Sequence, residues 1–186
     1  MIRRGLLCAL LVVAGTGAAG ASIWETFEAR DLDGRRWTAA ELEGRVVLLD
    51  FWATWCAPCL AEIPSLRRAT ERFGDRGFLV LGVSLDRGER RDLESFLRRQ
   101  GIDWPQVHDG RGVDGPLARR FRVTAVPRTF LVDRTGRIVG VDLKGEVLLA
   151  ALPALLAAPN AACDRPDCEP SPAADHRRES GGSSGR

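Results

Sequence analysis

The segment "VVLLDFW", Val46 to Trp52, constrains this chain more than any other. It is a nearly continuous apolar run with β-branched and aromatic residues, the pattern of a strand buried on both faces. One acid, Asp50, lies inside it. Burying an unpaired carboxylate is expensive, and the usual escape is a raised pKa. Directly after the strand comes "ATWCAPC", which places Cys56 and Cys59 at the opening of a stretch that reads as a helix.

The flanking segments say what this strand packs with. "TFEARDLDGRRWTAAELEGR" predicts a short hairpin, with Asp33-Gly34 as its turn signal. A helix is expected from about Pro58 to Phe73, ended by Gly74 and interrupted by Pro64, which removes one hydrogen bond and bends the axis. "GFLVLGVSLD" reads as a second buried strand. "GERRDLESFLRRQG" is an amphipathic helix with Leu93, Phe96 and Leu97 on one face and Gly101 as its stop. "IDWPQVHD" is a short extended piece, and "GPLARRF" a short helix with Pro116 near its start. "RTFLVD" and "RIVGVD" are strands joined by the turn "RTG". A last helix covers Gly145 to Ala157, with Pro153 as a point for a kink. Alternating strands and helices predict an α/β domain: a mixed central sheet flanked by helices, with right-handed crossovers and an N-terminal β-hairpin extension.

The two ends read differently from the middle. Residues 1–21 carry Arg3 and Arg4, an apolar run from Leu6 to Ala14, then small residues ending in an Ala19-x-Ala21 pattern. That three-part layout is a secretory signal peptide with cleavage after Ala21. The rival reading keeps residues 5–21 as a membrane anchor, at the lower length limit for a spanning helix. Both place a domain at 22–159 outside the cytoplasm. Residues 160–186 are rich in Pro, Ser, Gly and charge, too poor in large apolar side chains to order themselves, and read as a flexible tail.

Charge excludes one class of partner. The formal net charge is +2, and Arg3 and Arg4 account for both units, so no basic face is left for a nucleic acid. Runs such as "RGERRD" are solvated helix surface. Arginine supplies nearly all the positive charge; Lys144 is the only lysine, which reflects genomic base composition.

Setting Cys8 aside with the leader leaves Cys56, Cys59, Cys163 and Cys168, and an exported chain permits disulfides. Cys56 sits near a helix N-terminus, where free N–H groups and the helix dipole favour a thiolate. Cys59, three residues on, is within reach of it, on the protein side of the turn. One sulfur attacks and the other resolves. A zinc site needs two more ligands, and the only histidines are His108 and His176, the latter in the tail. A purely structural disulfide would not need tryptophans on its approach. The redox reading is therefore preferred, with no metal and no cofactor expected, and His108 is read as an ordinary surface histidine. Trp55 is expected to cover the active-site surface beside Cys56, and Trp52 either to share that surface or to pack in the core, with the core favoured. Cys163 and Cys168 enclose "DRPD" and read as a local disulfide loop.

"DFWATWCAPC" resembles the active site of the thioredoxin superfamily, and "WATWCAPCLAEIP" is most similar to its exported TlpA/ResA-like branch. "DLDGRRWTAAELEGRVVLLDFW" resembles that branch's N-terminal extension, and "VTAVPRTFLVDRTGRIVG" its later loop and hairpin. The resemblance covers roughly residues 25 to 157 and implies a thioredoxin-like fold. It implies that Cys56 is the nucleophile and Cys59 the resolving thiol, and that Trp55 and Pro58 lie at the substrate surface. It further implies a cis peptide bond before Pro127, which would face the cysteines, with the backbone of Val126 free to pair with a substrate strand. Asp50 takes the place of a buried aspartate that moves the proton as Cys59 attacks. Branch members often carry asparagine there, so Asp50 is a departure toward thioredoxin. Glu62 matches a glutamate near the cysteines that handles protons and tunes their pKa values. The two acids and two thiols are expected to titrate as one group. The Cys163–Cys168 pair has no counterpart in the family pattern.

The function expected is an exported thiol–disulfide oxidoreductase. It would reduce disulfides in periplasmic proteins, in a role of the cytochrome c assembly type, and be recharged by a membrane thiol–disulfide electron donor. Direction is not written in "CAPC", since potentials in this superfamily run from about −270 to −120 mV. Glu62 and Asp50 oppose thiolate formation and argue for a reductant over an oxidase or isomerase. A copper-binding chaperone using the cysteine pair is the reading from another class. The spacing and the lack of a matching histidine disfavour it. Nothing matches the single peroxide-reactive cysteine motif of the fold's peroxidases.

Overall fold

The computed structural model describes residues 24–158. The leader, with its cleavage site or anchor, and the tail, with Cys163 and Cys168, lie outside the described residues. Three short elements come first: β1 (Glu28–Arg30), β2 (Arg36–Thr38) and α1 (Ala39–Leu42). The main body follows as β3 (Val46–Trp52), α2 (Ala57–Phe73), β4 (Phe78–Ser84), α3 (Arg90–Gln100) and β5 (Gln106–His108). It closes with α4 (Pro116–Arg120), β6 (Arg128–Val132), β7 (Ile138–Val141) and α5 (Gly145–Ala157).

β1 and β2 form the antiparallel hairpin. The other five strands make one sheet in the order β5-β4-β3-β6-β7. β3 is its central strand, parallel to β4 and antiparallel to β6, so the sheet is mixed, as expected. Every residue of β3 is buried, which is why its sequence reads as one apolar run.

Side chains alternate across a strand, so β3 feeds two cores. Val47, Leu49 and Phe51 pack on one face with Phe27, Trp37, Leu117 and Phe121. Val46, Leu48 and Trp52 pack on the other with Ile63, Leu66 and Phe73 of α2 and Leu148 and Leu152 of α5. The same alternation turns Asp50 toward the α2 and α5 face. That parity, fixed by the strand period, brings an acid under the cysteines.

Some boundaries differ from expectation. α1 was not foreseen; a capping box holds it, with Thr38 Oγ1 accepting the Glu41 N–H and the Glu41 carboxylate accepting the Thr38 N–H. Pro64 does not interrupt α2, which runs through it for 17 residues. One missing N–H is offset by an apolar face packed along the helix. α2 ends at Phe73, but Gly74 is right-handed and opens a 3₁₀ turn; the left-handed reversal into β4 falls on Gly77, at φ 93°. Pro153 likewise lies inside a continuous α5. Among the described residues no helix is long and apolar enough to cross a membrane.

Candidate active site

Cys56 is the N-cap residue of α2, and its Sγ accepts the backbone N–H of Cys59 at 3.3 Å. Pro58 lies in the first turn, where its missing N–H costs the helix nothing. The two cysteines form a disulfide with their Cα atoms 5.3 Å apart. In this oxidised state both residues are almost fully covered, at 5% and 6% exposure, so Cys59 is no deeper than its partner. Trp55, immediately before Cys56, is 69% exposed and stands as an apolar surface beside the disulfide.

Trp52 does not share that surface but packs in the core, the alternative its place in the buried run favoured. Its indole N–H donates to Gln106 Oε1 at 2.9 Å. An indole that finds a buried acceptor is stable inside, and strand parity leaves it no way out. Gln106 in turn fills the space over Gly82, where a Cβ would meet its Oε1 at 2.2 Å.

The loop between β3 and α2 is pinned from below. The Asp86 carboxylate accepts the backbone N–H of Thr54 at 3.1 and 3.2 Å, the Thr54 hydroxyl at 2.6 Å and the Ser84 hydroxyl at 2.8 Å. Asp86 follows the end of β4, so it ties that strand to the residue two positions before Cys56. Sequence reasoning did not single out this pair.

On the far side of the disulfide, the Val126–Pro127 peptide bond is cis, and Pro127 enters the start of β6. Pro127 lines a cavity of about 10 Å³ together with Cys59, Asp50, Glu62, Thr129 and Lys144. That volume is about enough for one water molecule. Asp50 is 8% exposed and lies opposite Thr129 across the sheet. Burial raises its pKa to about 7, and the negative charge of Glu62 adds to the rise, while Lys144 pulls against it.

Glu62 lies one helical turn beyond Cys59, so both look out from one side of α2. Its carboxylate accepts the backbone N–H of Gly145 at 2.9 Å, the first residue of α5. A negative charge at a helix N-terminus is favourable. Glu62 therefore has a second attachment that its position in "CAPCLAEIP" does not disclose: it bridges the two helices that wall the cavity. Lys144, the N-cap residue of α5, completes the wall. The sequence reading treated it only as a matter of composition; its being the single lysine was the available signal.

His108 ends β5, and its Nε2 lies 3.2 Å from the Gly88 carbonyl. It lines a separate cavity with Thr54, Asp86 and Phe96, on the α3 side.

A five-stranded mixed sheet, a cysteine pair at the tip of the helix after its central strand, and a cis-proline beside that pair define a thiol–disulfide oxidoreductase of the thioredoxin fold. The AhpC/TSA family model matches residues 22–141, and the chain belongs to that family. It is 30% identical over 152 residues to the thiol-disulfide oxidoreductase ResA of Bacillus subtilis (strain 168), covering 75% of this chain and 82% of that relative. With ResA of Geobacillus thermodenitrificans (strain NG80-2) it shares 32% identity over 124 residues, or 66% of this chain and 68% of the relative. Among solved structures, a thiol-disulfide oxidoreductase from Bacteroides fragilis NCTC 9343 superposes with a TM-score of 0.63 at 29% identity, covering 69% of this chain and 96% of that one. The thioredoxin domain of a thiol-disulfide oxidoreductase from Bacteroides vulgatus gives 0.62 at 27%, with 70% and 92% covered.

Proposed function

We propose that this oxidoreductase works as a reductant of disulfides in exported proteins, on the periplasmic side of the inner membrane. In the reduced enzyme, the Cys56 thiolate attacks a substrate disulfide. A mixed disulfide forms and one substrate sulfur leaves as a thiol after taking a proton. Cys59 gives its proton to Asp50 as its sulfur attacks Cys56. The bond from Cys56 to substrate breaks, the second substrate thiol departs with a proton, and Cys56–Cys59 is left oxidised. Two electrons have passed to the substrate. A membrane thiol–disulfide donor then restores the dithiol. Trp55, Pro58 and Pro127 present an apolar rim to the incoming chain, and the backbone of Val126 pairs with it as an added strand.

The observation that carries the direction is the acid pair beneath Cys59. Oxidases gain their potential from a strongly stabilised thiolate. Here Asp50 and Glu62 place negative charge against the sulfurs, which disfavours the thiolate and with it the reduced state. The leader-like pattern of residues 1–21 supports the compartment, and the resemblance to the TlpA/ResA-like branch supports a role of the cytochrome c assembly type.

Equilibration of the mature domain with defined thiol–disulfide buffers tests the direction. A potential near about −270 mV is expected; one near −120 mV would make the protein an oxidase.

A further inference from the structure

We propose that Lys144 is the charge-setting residue of the exchange reaction: its ammonium favours the ionised form of Asp50, the form able to take the Cys59 proton. The proposal deepens the reading of Asp50 as proton acceptor and rests on it.

Three observations converge on this residue. Lys144 lines the same small cavity as Asp50, Cys59 and Glu62. Its place is fixed, because it is the N-cap of α5 and the next N–H along is held by Glu62 at 2.9 Å. It is also the single lysine among 27 basic residues, in a chain that uses arginine everywhere else. A compact ammonium suits so small a space better than a planar guanidinium.

The charges around the cavity leave Lys144 this task. Asp50 comes from β3, and Cys59 and Glu62 from α2. β6 contributes the uncharged Thr129. Of the other charges on the neighbouring elements, Arg128 is paired with Asp142 at 2.7 Å and Arg68 with Glu146 at 3.4 Å, Arg67 donates to the Gln100 carbonyl at 2.7 Å, and Glu71 and Arg72 are exposed toward the far end of α2. Among the described residues no ion pair includes Lys144. Two acids thus face one unpaired cation. Without it, burial and the repulsion of Glu62 would hold Asp50 further toward its protonated form, and a protonated carboxyl cannot accept the proton of Cys59. With it, Asp50 sits at about 7, poised between the two forms.

The test uses the full chain and an aromatic disulfide, 5,5′-dithiobis(2-nitrobenzoate), whose thiolate product is coloured. Attack by Cys56 releases the first equivalent. Attack by Cys59 on the mixed disulfide releases the second in a first-order phase, which is followed against pH. Lys144→Met is expected to move the midpoint of that second phase upward by about half a pH unit or more, and to slow it about threefold at pH 7. Lys144→Arg, which keeps the charge, should lie nearer the wild type. In an Asp50→Asn background, Lys144→Met should have no further effect. Thermal unfolding of each variant separates loss of fold from loss of charge. A midpoint unmoved by Lys144→Met, with Asp50→Asn moving it, would overturn the role of Lys144 alone. A shift that persists in the Asp50→Asn background would overturn it too, because the lysine would then act elsewhere. A wild-type profile for Asp50→Asn would overturn both readings.

Discussion

At the scale of single residues, the buried acid dominates. Asp50 has a folded pKa of about 7 against an ordinary value of 3.8. The folded protein therefore binds a proton that the unfolded chain has already released between roughly pH 4 and 7. Where the native state holds more protons, stability falls as pH rises. Asp50 thus favours the fold most below pH 4, and that contribution is lost as pH climbs through 7. Asp50→Asn removes the ionisable group while keeping its shape. The variant is expected to unfold at higher urea than the wild type at pH 8, by roughly 2–4 kcal/mol. The difference should shrink to near zero at pH 4, as followed by fluorescence-detected denaturation. The acid itself was legible in the sequence, because a charge inside "VVLLDFW" has to be accounted for. Its partners were less so. Glu62 could be placed near Cys59 from helical spacing, but its bond to Gly145 spans 83 positions and depends on how α5 docks. No periodicity carries that information, and the same holds for Lys144 and for the Asp86–Thr54 tie.

At the scale of elements, β3 and β4 were readable because both are buried on each face and carry runs of β-branched and aromatic residues. Among the short elements, the hairpin, β5 and α4 were legible from their turn and proline signals, but α1, four residues held by a capping box rather than by a periodic face, was not. Neither Pro64 nor Pro153 breaks its helix, since tertiary packing outweighs one lost hydrogen bond apiece. The join between β3, β4 and β5 depends on a fit that sequence does not announce. Gly82 stands opposite Asp50, and the buried Gln106 side chain lies over it to accept the Trp52 indole N–H. A methyl group there would meet Gln106 Oε1 at 2.2 Å, so the amide must move and the indole loses its partner. Gly82→Ala is expected to cost about 1–3 kcal/mol and to change the emission of the buried tryptophan. Adding Gln106→Ala should recover part of the stability by relieving the clash. A Gly82→Ala protein as stable as the wild type would mean that the amide has another place to go.

At the scale of the whole molecule, the described chain begins at the end of the sheet remote from its reactive end. Trp24 packs over Gly136, in the turn between β6 and β7, where a Cβ would approach its ring at 2.6 Å. That turn lies beyond Val132, which pairs with Val47 at the start of β3, while the cysteines follow the other end of β3. At about 3.3 Å per residue, a seven-residue strand separates the two poles by roughly 20 Å. A tether at the N-terminus would leave Trp55 and Pro127 facing away from it, toward arriving substrates. The redox state then ties the site to the stability of the whole fold. Folding and reduction form a closed thermodynamic cycle, so whichever redox state is stabilised by the fold also sets the direction in which the disulfide is driven. A strong oxidant is more stable reduced. In this protein, acids crowd the sulfurs from beneath, and the disulfide carries no charge for them to repel. The oxidised form should therefore unfold at higher urea than the dithiol form at pH 7. Each 1.4 kcal/mol of difference corresponds to about 30 mV of potential. Parallel titrations of the oxidised protein and of protein held in excess dithiothreitol measure that difference directly. Greater stability of the dithiol would mean that the helix N-terminus outweighs the acids and that electrons flow from substrate to enzyme.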